Sequence, residues 1–311
     1  MPVADGELRE ALQAVLGRPV RAISRRPHPY GSSHALEQID VRFERGVPLA
    51  LVFKDVSAPQ PHAQAAKPVR LRDPDREIDA YQLVLAPGGL DVPACYGSVA
   101  RRGRHWLFLE AVDGMPLWQC GDDEAWDRAA RWLAGLHSPP APPPGAHLLR
   151  YDAAYLHGWL ARAVALTPAG ALDDVVAVWE RVVARVASWP PSAVHGDYHP
   201  SNILVQDAGG EPRIRPVDWE LAGVGPGLLD LAALTSGHWS RTARERAALA
   251  YHAALAAPVR PARDDLLDAL AHCRLLTAVQ WLGWSADWTP PGEHAYDWLA
   301  EARGLARELA R

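Results

Sequence analysis

The chain has 311 residues, 49% apolar and 22% charged, with a formal net charge of −5. That suits a globular protein with a core large enough for two lobes, and it leaves no basic stripe for a nucleic acid to engage. No run of 18 apolar residues occurs, and Cys95, Cys120 and Cys273 are too scattered for a disulfide frame or a zinc site. The N-terminus, MPVADGELREALQ, carries acids early and has no apolar stretch of the signal-peptide kind. These features together predict a cytoplasmic protein with reduced thiols and neither a membrane nor a nucleic acid as partner.

In chain order, residues 5–17 pattern as a short amphipathic helix. LEQIDVRF (36–43) alternates, with Ile39, Val41 and Phe43 to one side and Asp40 and Arg42 to the other. The turn ERG and a second run of strand formers, LALVFKDV (49–56), complete a hairpin. Ile78, Tyr81, Gln82 and Leu85 fall at helical spacing and predict a helix over 75–86. HWLFLEAV (105–112) reads as a buried strand. After Gly114 the period becomes helical: helices are predicted at 123–137, 151–166 and 171–188, with the proline-rich loop 138–147 inside the second lobe. NILVQ, the turn DAGGEP and RIRPVDW form a second hairpin, and the last 80 residues are helical and rich in tryptophan. The expected class is α+β and bilobal. A small antiparallel β lobe with one helix (residues 1–110) joins a larger, mostly helical lobe (111–311) near 110–114.

The stretch VHGDYHPSNILV (194–205) carries most of the chemistry. His195 and His199 have the i, i+4 spacing of a zinc helix, but Gly196 and Pro200 oppose a helix there and the intervening glutamate is missing. Asp, Asn, Gly and Pro also make ordinary turns. A phosphoryl-transfer site instead needs a carboxylate to orient a hydroxyl and oxygen ligands for Mg²⁺. Asp197 can supply the first. Asn202 and Asp218 can supply the second, because the hairpin between them returns Asp218 beside Asn202.

HGDYHPSN followed by VDWE resembles the aminoglycoside phosphotransferase and choline kinase-like family, relatives of the protein kinases. The resemblance implies a protein kinase-like fold and transfer of a γ-phosphate from ATP, or from GTP in its place, to a small-molecule hydroxyl. It makes Asp197 the catalytic base, gives Asn202 and Asp218 to Mg²⁺, and leaves His195 and His199 to brace the loop. YGSSH (30–34) stands at the family's phosphate-covering loop, so Gly31, Ser32 and Ser33 are expected near phosphates. Lys54 matches the strand lysine on the α- and β-phosphates, and Glu77 the helix glutamate that holds it. FLEAVDG (108–114) resembles the hinge, where the main chain of Glu110 and Val112 would bond adenine. GVGPGLLDLA (223–232) matches a segment whose aspartate, here Asp230, braces the catalytic loop.

Two alternatives stand beside the small-molecule kinase. A protein kinase is disfavoured because only about a dozen residues separate Asp218 from Asp230 and no APE motif follows. A non-catalytic nucleotide-binding scaffold would be expected to lack Lys54, Asp197, Asn202 or Asp218, and all four are present. The chain has only two lysines, Lys54 and Lys67, against thirty arginines, so each lysine invites the question why a planar guanidinium would not serve. For the acceptor, Trp284, Asp287 and Trp288 are candidates, since aromatics beside acids hold cations or stack on sugars. Core packing is the plainer role for most of the tryptophans.

Overall fold

The computed structural model describes residues 3–29, 34–59, 67–101, 103–142, 147–207, 209–284, 292 and 295–311. The small lobe is one five-stranded antiparallel sheet in the order β1-β2-β3-β5-β4. Its strands are β1 (Val20–Pro27), β2 (His34–Phe43), β3 (Leu49–Pro59), β4 (Cys95–Arg101) and β5 (Arg104–Glu110). The predicted hairpin is β2–β3, with Ile39 opposite Leu51 and Leu36 opposite Lys54.

Period-two alternation gives this sheet two different faces. Leu51 and Phe53 of β3, with Trp106 and Phe108 of β5, point outward into a core closed by helix α1 (Asp5–Leu16). Phe53 stacks on Phe108 at 5.5 Å and meets Trp106 edge-on at 5.7 Å. The alternate residues, Leu107 and Leu109, point inward and belong to the large lobe's core. Lys54 follows Phe53, so it faces inward as well.

The helix predicted over 75–86 begins as α2 (Arg76–Asp79), widens into a π turn (Ala80–Leu85) and closes at Ala86–Gly88. Pro87, which cannot continue an α-helical ladder, ends it. Among the described residues the small lobe thus holds two α-helical elements: α1, already marked by its pattern, and α2, whose helical run packs through Ile78, Tyr81 and Leu85 into the large core.

The sheet stops at Glu110. Residues 111–114 lead to β6 (Met115–Pro116), which pairs with β9 (Ile203–Gln206), and β9 pairs with β10 (Arg213–Pro216) as the second predicted hairpin. A third sheet holds β7 (Leu149–Arg150), β11 (Gly223–Pro226) and β8 (Pro191–Val194). Among the described residues no sheet runs through both lobes. The large lobe's helices are α3 (Asp123–His137), α4 (Ala153–Leu166), α5 (Asp173–Ala187), α6 (Leu228–Leu234), α7 (Arg241–Ala254), α8 (Arg263–Leu282) and α9 (Trp298–Leu309). Asp122, Asp152, Ser240 and Asp297 cap four of them through side-chain oxygens. Helix α8 runs through the core, packed on α4, α6 and α9. Among the described residues no helix is long and apolar enough to cross a membrane, and the three cysteines are unpaired.

Candidate active site

The catalytic-loop candidate leaves β8 at Val194 and turns at once. Gly196 has φ +82°, and a Cβ there would lie 1.9 Å from the Tyr151 hydroxyl and 2.3 Å from the Leu221 carbonyl oxygen, so only glycine fits. From below, the Asp230 carboxylate accepts the backbone N–H of His195 at 2.7 Å and of Gly196 at 2.8 Å. The His195 ring, fully buried, donates from Nε2 to the Val217 carbonyl at 3.1 Å and accepts the Asp197 N–H at Nδ1, 3.2 Å away. Burial pushes its pKa down, which keeps it neutral. Both ring nitrogens are spent on the fold, so His195 ties the loop to the strand that delivers Asp218.

Asn202 closes the loop. Its amide N–H₂ donates to the Asp197 carboxylate at 2.8 Å and to the Asp197 carbonyl at 3.0 Å. The Asp197 carbonyl can only accept, so the amide nitrogen must face it and the Asn202 Oδ1 is turned away. Asp197 itself remains 31% exposed, open to a substrate. Burial, with the negative charges of Asp218 and Glu220, pushes its pKa up to about 7.

The VDWE segment supplies the facing wall. Asp218 is the one non-glycine residue with positive φ (66°) among the described residues. That left-handed backbone is costly, and such strain gathers at functional sites. Its Oδ1 accepts from the Lys54 Nζ at 2.6 Å, and the same nitrogen lies 2.5 Å from Glu77 Oε2. Glu77 also receives the Trp219 N–H at 3.4 Å. Burial opposes charge on Asp218, but the Lys54 ammonium outweighs it and holds that carboxyl down at about 2. Burial likewise opposes the Lys54 charge, and Asp218 and Glu77 prevail, so its pKa is raised. Lys54, Glu77 and Asp218 therefore meet, as do Asp197 and Asn202.

At the hinge, the Glu110 N–H is engaged by the Ala94 carbonyl at 2.8 Å, and its carboxylate accepts from Ala94 N and from Arg215. The Glu110 N–H is therefore already engaged within the small lobe. Gly31, Ser32 and Ser33 lie outside the described residues, as do Asp287 and Trp288. Trp284 stacks on Trp159, rings 5.6 Å apart and 9° from parallel, and its carbonyl accepts from Arg162. A cavity of about 370 Å³ opens beside the catalytic loop at His199 and Pro200. Trp118, Trp126, Trp239, Trp281, Tyr296 and Trp298 wall it.

Three residues escaped the motif reading. Arg76 is buried and donates to the carbonyls of His147, Leu71 and Glu220, tying α2 to the VDWE turn. Lys67 ion-pairs with the Glu220 carboxylate, and His34 Nδ1 stands 3.5 Å from the other Glu220 oxygen. Only the rarity of lysine in this chain could have singled out Lys67.

The donor set fits a hard cation. The candidate ligands, Asn202 Oδ1 and the Asp218 carboxylate, are oxygens with no thiolate beside them, which suits Mg²⁺ better than zinc; the imidazole nearest the loop carboxylate, His199, has its Nε2 3.6 Å from Asp197 Oδ1. Glu77, Asp197, Asp218 and Glu220 also outnumber Lys54 and Lys67, leaving negative charge for a divalent ion to neutralise.

Two lobes joined by a hinge, with a lysine–glutamate pair facing a braced Asp/Asn loop and a second aspartate, define a kinase-like phosphotransferase. The chain belongs to the phosphotransferase enzyme family, whose model matches residues 40–266. Family and fold together make it a kinase-like phosphotransferase. Similar solved structures include a microcompartment-associated aminopropanol kinase (TM-score 0.63, 18% identity, 98% of this chain and 97% of that one). Choline kinase LicA from Streptococcus pneumoniae superposes with a TM-score of 0.61 at 15% identity, covering 97% of each chain. A spectinomycin phosphotransferase solved with ADP and spectinomycin gives 0.57 at 12% identity, covering 100% of this chain and 99% of that one. No curated protein sequence matches the chain.

Proposed function

We propose that the chain transfers the γ-phosphate of ATP, or of GTP in its place, to a hydroxyl of a small metabolite or antibiotic. Residues 1–110 form the nucleotide-binding lobe and residues 111–311 the catalytic and acceptor-binding lobe. The observation that carries this reading is the convergence of Asp218 on the buried Lys54–Glu77 pair, with the Asp197–Asn202 pair on the loop that His195 ties to the Asp218 strand. Lys54, held by Glu77, binds the α- and β-phosphates, and Gly31, Ser32 and Ser33 are assigned to the phosphates as well. The main chain of Glu110 and Val112 meets adenine. Asn202 Oδ1 and Asp218 hold Mg²⁺, which when bound neutralises charge on the phosphates. Asp197 accepts a hydrogen bond from the acceptor hydroxyl and aims its oxygen at the γ-phosphorus; in a loose transition state that orientation matters more than early proton removal.

The acceptor lies between Asp197 and the aromatic cavity, and Trp284, Asp287 and Trp288 are its further candidate contacts. Among the described lining residues the one carboxylate, Asp123, is paired with Arg246, so the walls favour an alcohol with apolar or flat faces over a polycation. With unpaired cysteines and no basic stripe, we place the protein in the cytoplasm, with no nucleic-acid or membrane partner. The test is nucleoside diphosphate release with Mg²⁺–ATP and Mg²⁺–GTP across amino alcohols, amino sugars, aminoglycosides, macrolides and homoserine-like compounds. Acceptor-dependent release that Asp197→Asn abolishes supports the reading. A nucleotide-binding protein that phosphorylates no alcohol contradicts it.

A further inference from the structure

Both lysines of this chain end on the same three-residue turn: Lys54 on Asp218 and Lys67 on Glu220. They arrive from different directions. Lys54 sits in β3, whereas Lys67 opens a segment that descends toward the large lobe. That segment is built, not draped. Arg72 Nε donates to the Lys67 carbonyl at 2.8 Å, Leu71 is buried in the large core, and Arg76 grips the Leu71 carbonyl at 2.8 Å. Lys67 is itself buried, 7% exposed.

Its surroundings mark where it points. Glu220 lies between Lys67 and His34, the first residue of β2 after the phosphate-loop candidate. The Lys67 charge acts on both Asp197 and Asp218 and lowers the pKa of each. Through Glu220, Lys67 is held on the turn that carries the metal-ligand candidate Asp218 two residues earlier, and it shares that carboxylate with His34 at the end of the phosphate-loop candidate. Lys54 already serves the α- and β-phosphates. The position left for a second ammonium is beside the phosphoryl group in flight.

We propose that Lys67 is a second phosphate-directed lysine, resting on Glu220 in the ligand-free protein and turning to the γ-phosphoryl oxygens when nucleotide binds. The inference rests on the kinase reading above. A flexible ammonium can make that exchange of partners, where a planar guanidinium fitted to a carboxylate would be held by it. The charge placed there stabilises negative charge on the equatorial oxygens of the transferring group. As an ion pair alone, Lys67–Glu220 would have little reason to be kept, because two well-packed apolar side chains would serve stability as well.

The test compares two nucleotides that differ by the γ-phosphate: ADP and a β,γ-imido analogue of ATP, each titrated calorimetrically with Mg²⁺. Lys67→Met is expected to weaken the analogue roughly tenfold while changing ADP by less than about twofold, and to lower turnover roughly a hundredfold. Lys67→Met alone strands Glu220, so the double variant Lys67→Met/Glu220→Gln is measured beside it and should show the same analogue-specific loss. A merely structural role would weaken both nucleotides together. Equal weakening, or unchanged analogue affinity in either folded variant, overturns the proposal. A parent protein that binds neither nucleotide overturns the kinase reading itself, and the proposal falls with it.

Discussion

The two faces of the small-lobe sheet carry neighbouring residues to different fates. Phe53 enters a closed aromatic core under α1, and Lys54, the next residue, enters the cleft. The outer face belongs to the small lobe alone. The inner face is shared, since Leu107, Leu109 and the apolar side of α2 are built into the large lobe's core. Glu77 rides on α2, and Arg76 beside it holds the Glu220 carbonyl. The Lys54–Glu77 pair is therefore positioned by both lobes. The sealed core and the cleft are separated by a single step along one strand.

Three changes can break or sharpen this division. The largest effect falls on the sealed face: Phe53→Ala should cost about 3–5 kcal/mol of stability by leaving a cavity against Trp106 and Phe108. Nucleotide affinity of the folded fraction should stay at the parent value. Urea denaturation and a nucleotide titration read the two quantities, and a loss of affinity matching the loss of stability would mean that the faces are not independent. On the cleft face, Lys54→Arg should lower turnover by roughly 10²–10³-fold and weaken Mg²⁺–ATP, while shifting the denaturation midpoint little. A guanidinium cannot sit between Asp218 and Glu77 as a point charge does. Unchanged kinetics would remove Lys54 from the phosphate site.

The smallest effect concerns pH in the metal- and nucleotide-free protein. The Asp197 pKa is raised to about 7, so the native state binds this proton more tightly than the unfolded chain. Its contribution opposes folding above that pH and fades as pH falls toward 4. Asp218, held at about 2, works in the opposite sense: its stabilisation is present above the ordinary carboxylate pKa and is lost as pH falls toward 2. Asp197→Asn should therefore be more stable than the parent at pH 8. The gain should be about 1–2 kcal/mol, reduced because Asp197 is partly exposed, and should shrink toward pH 5. A difference that does not vary with pH between denaturation curves at pH 5 and 8 would contradict the assignment.

Much of the architecture was legible because local pattern and tertiary role agree. The alternation in 36–43 and 49–56 gives β2 and β3, and the 3.6-residue period in 123–137 gives α3 at the same bounds. The HGDYHPSN and VDWE stretches announce the loop because its turns demand Gly196 and a braced Asp197. What stayed hidden depends on distant chain segments. The two-residue pairing of β7 with β11 has no local signature. The descent of 67–72 into the large lobe is set by Leu71 and Arg76, which read locally as an ordinary apolar residue and an exposed helical base. Tryptophans at helical spacing look alike in sequence. Trp281 reaches the aromatic cavity, while Trp284 stacks on Trp159.

The central claim is that this cleft divides its labour, with Lys54, Glu77, Asn202 and Asp218 holding the nucleotide and Asp197 orienting the hydroxyl. One paired measurement on Asp197→Asn tests it most directly: a Mg²⁺–ATP binding isotherm beside a turnover assay with an accepted alcohol. The amide keeps the size and the contact with Asn202 but loses the charge. Turnover should fall by about 10²–10⁴-fold, as for removal of a positioned base, while the isotherm stays within about threefold of the parent. Parent-like turnover, or a loss of nucleotide binding as large as the loss of rate, would contradict the account.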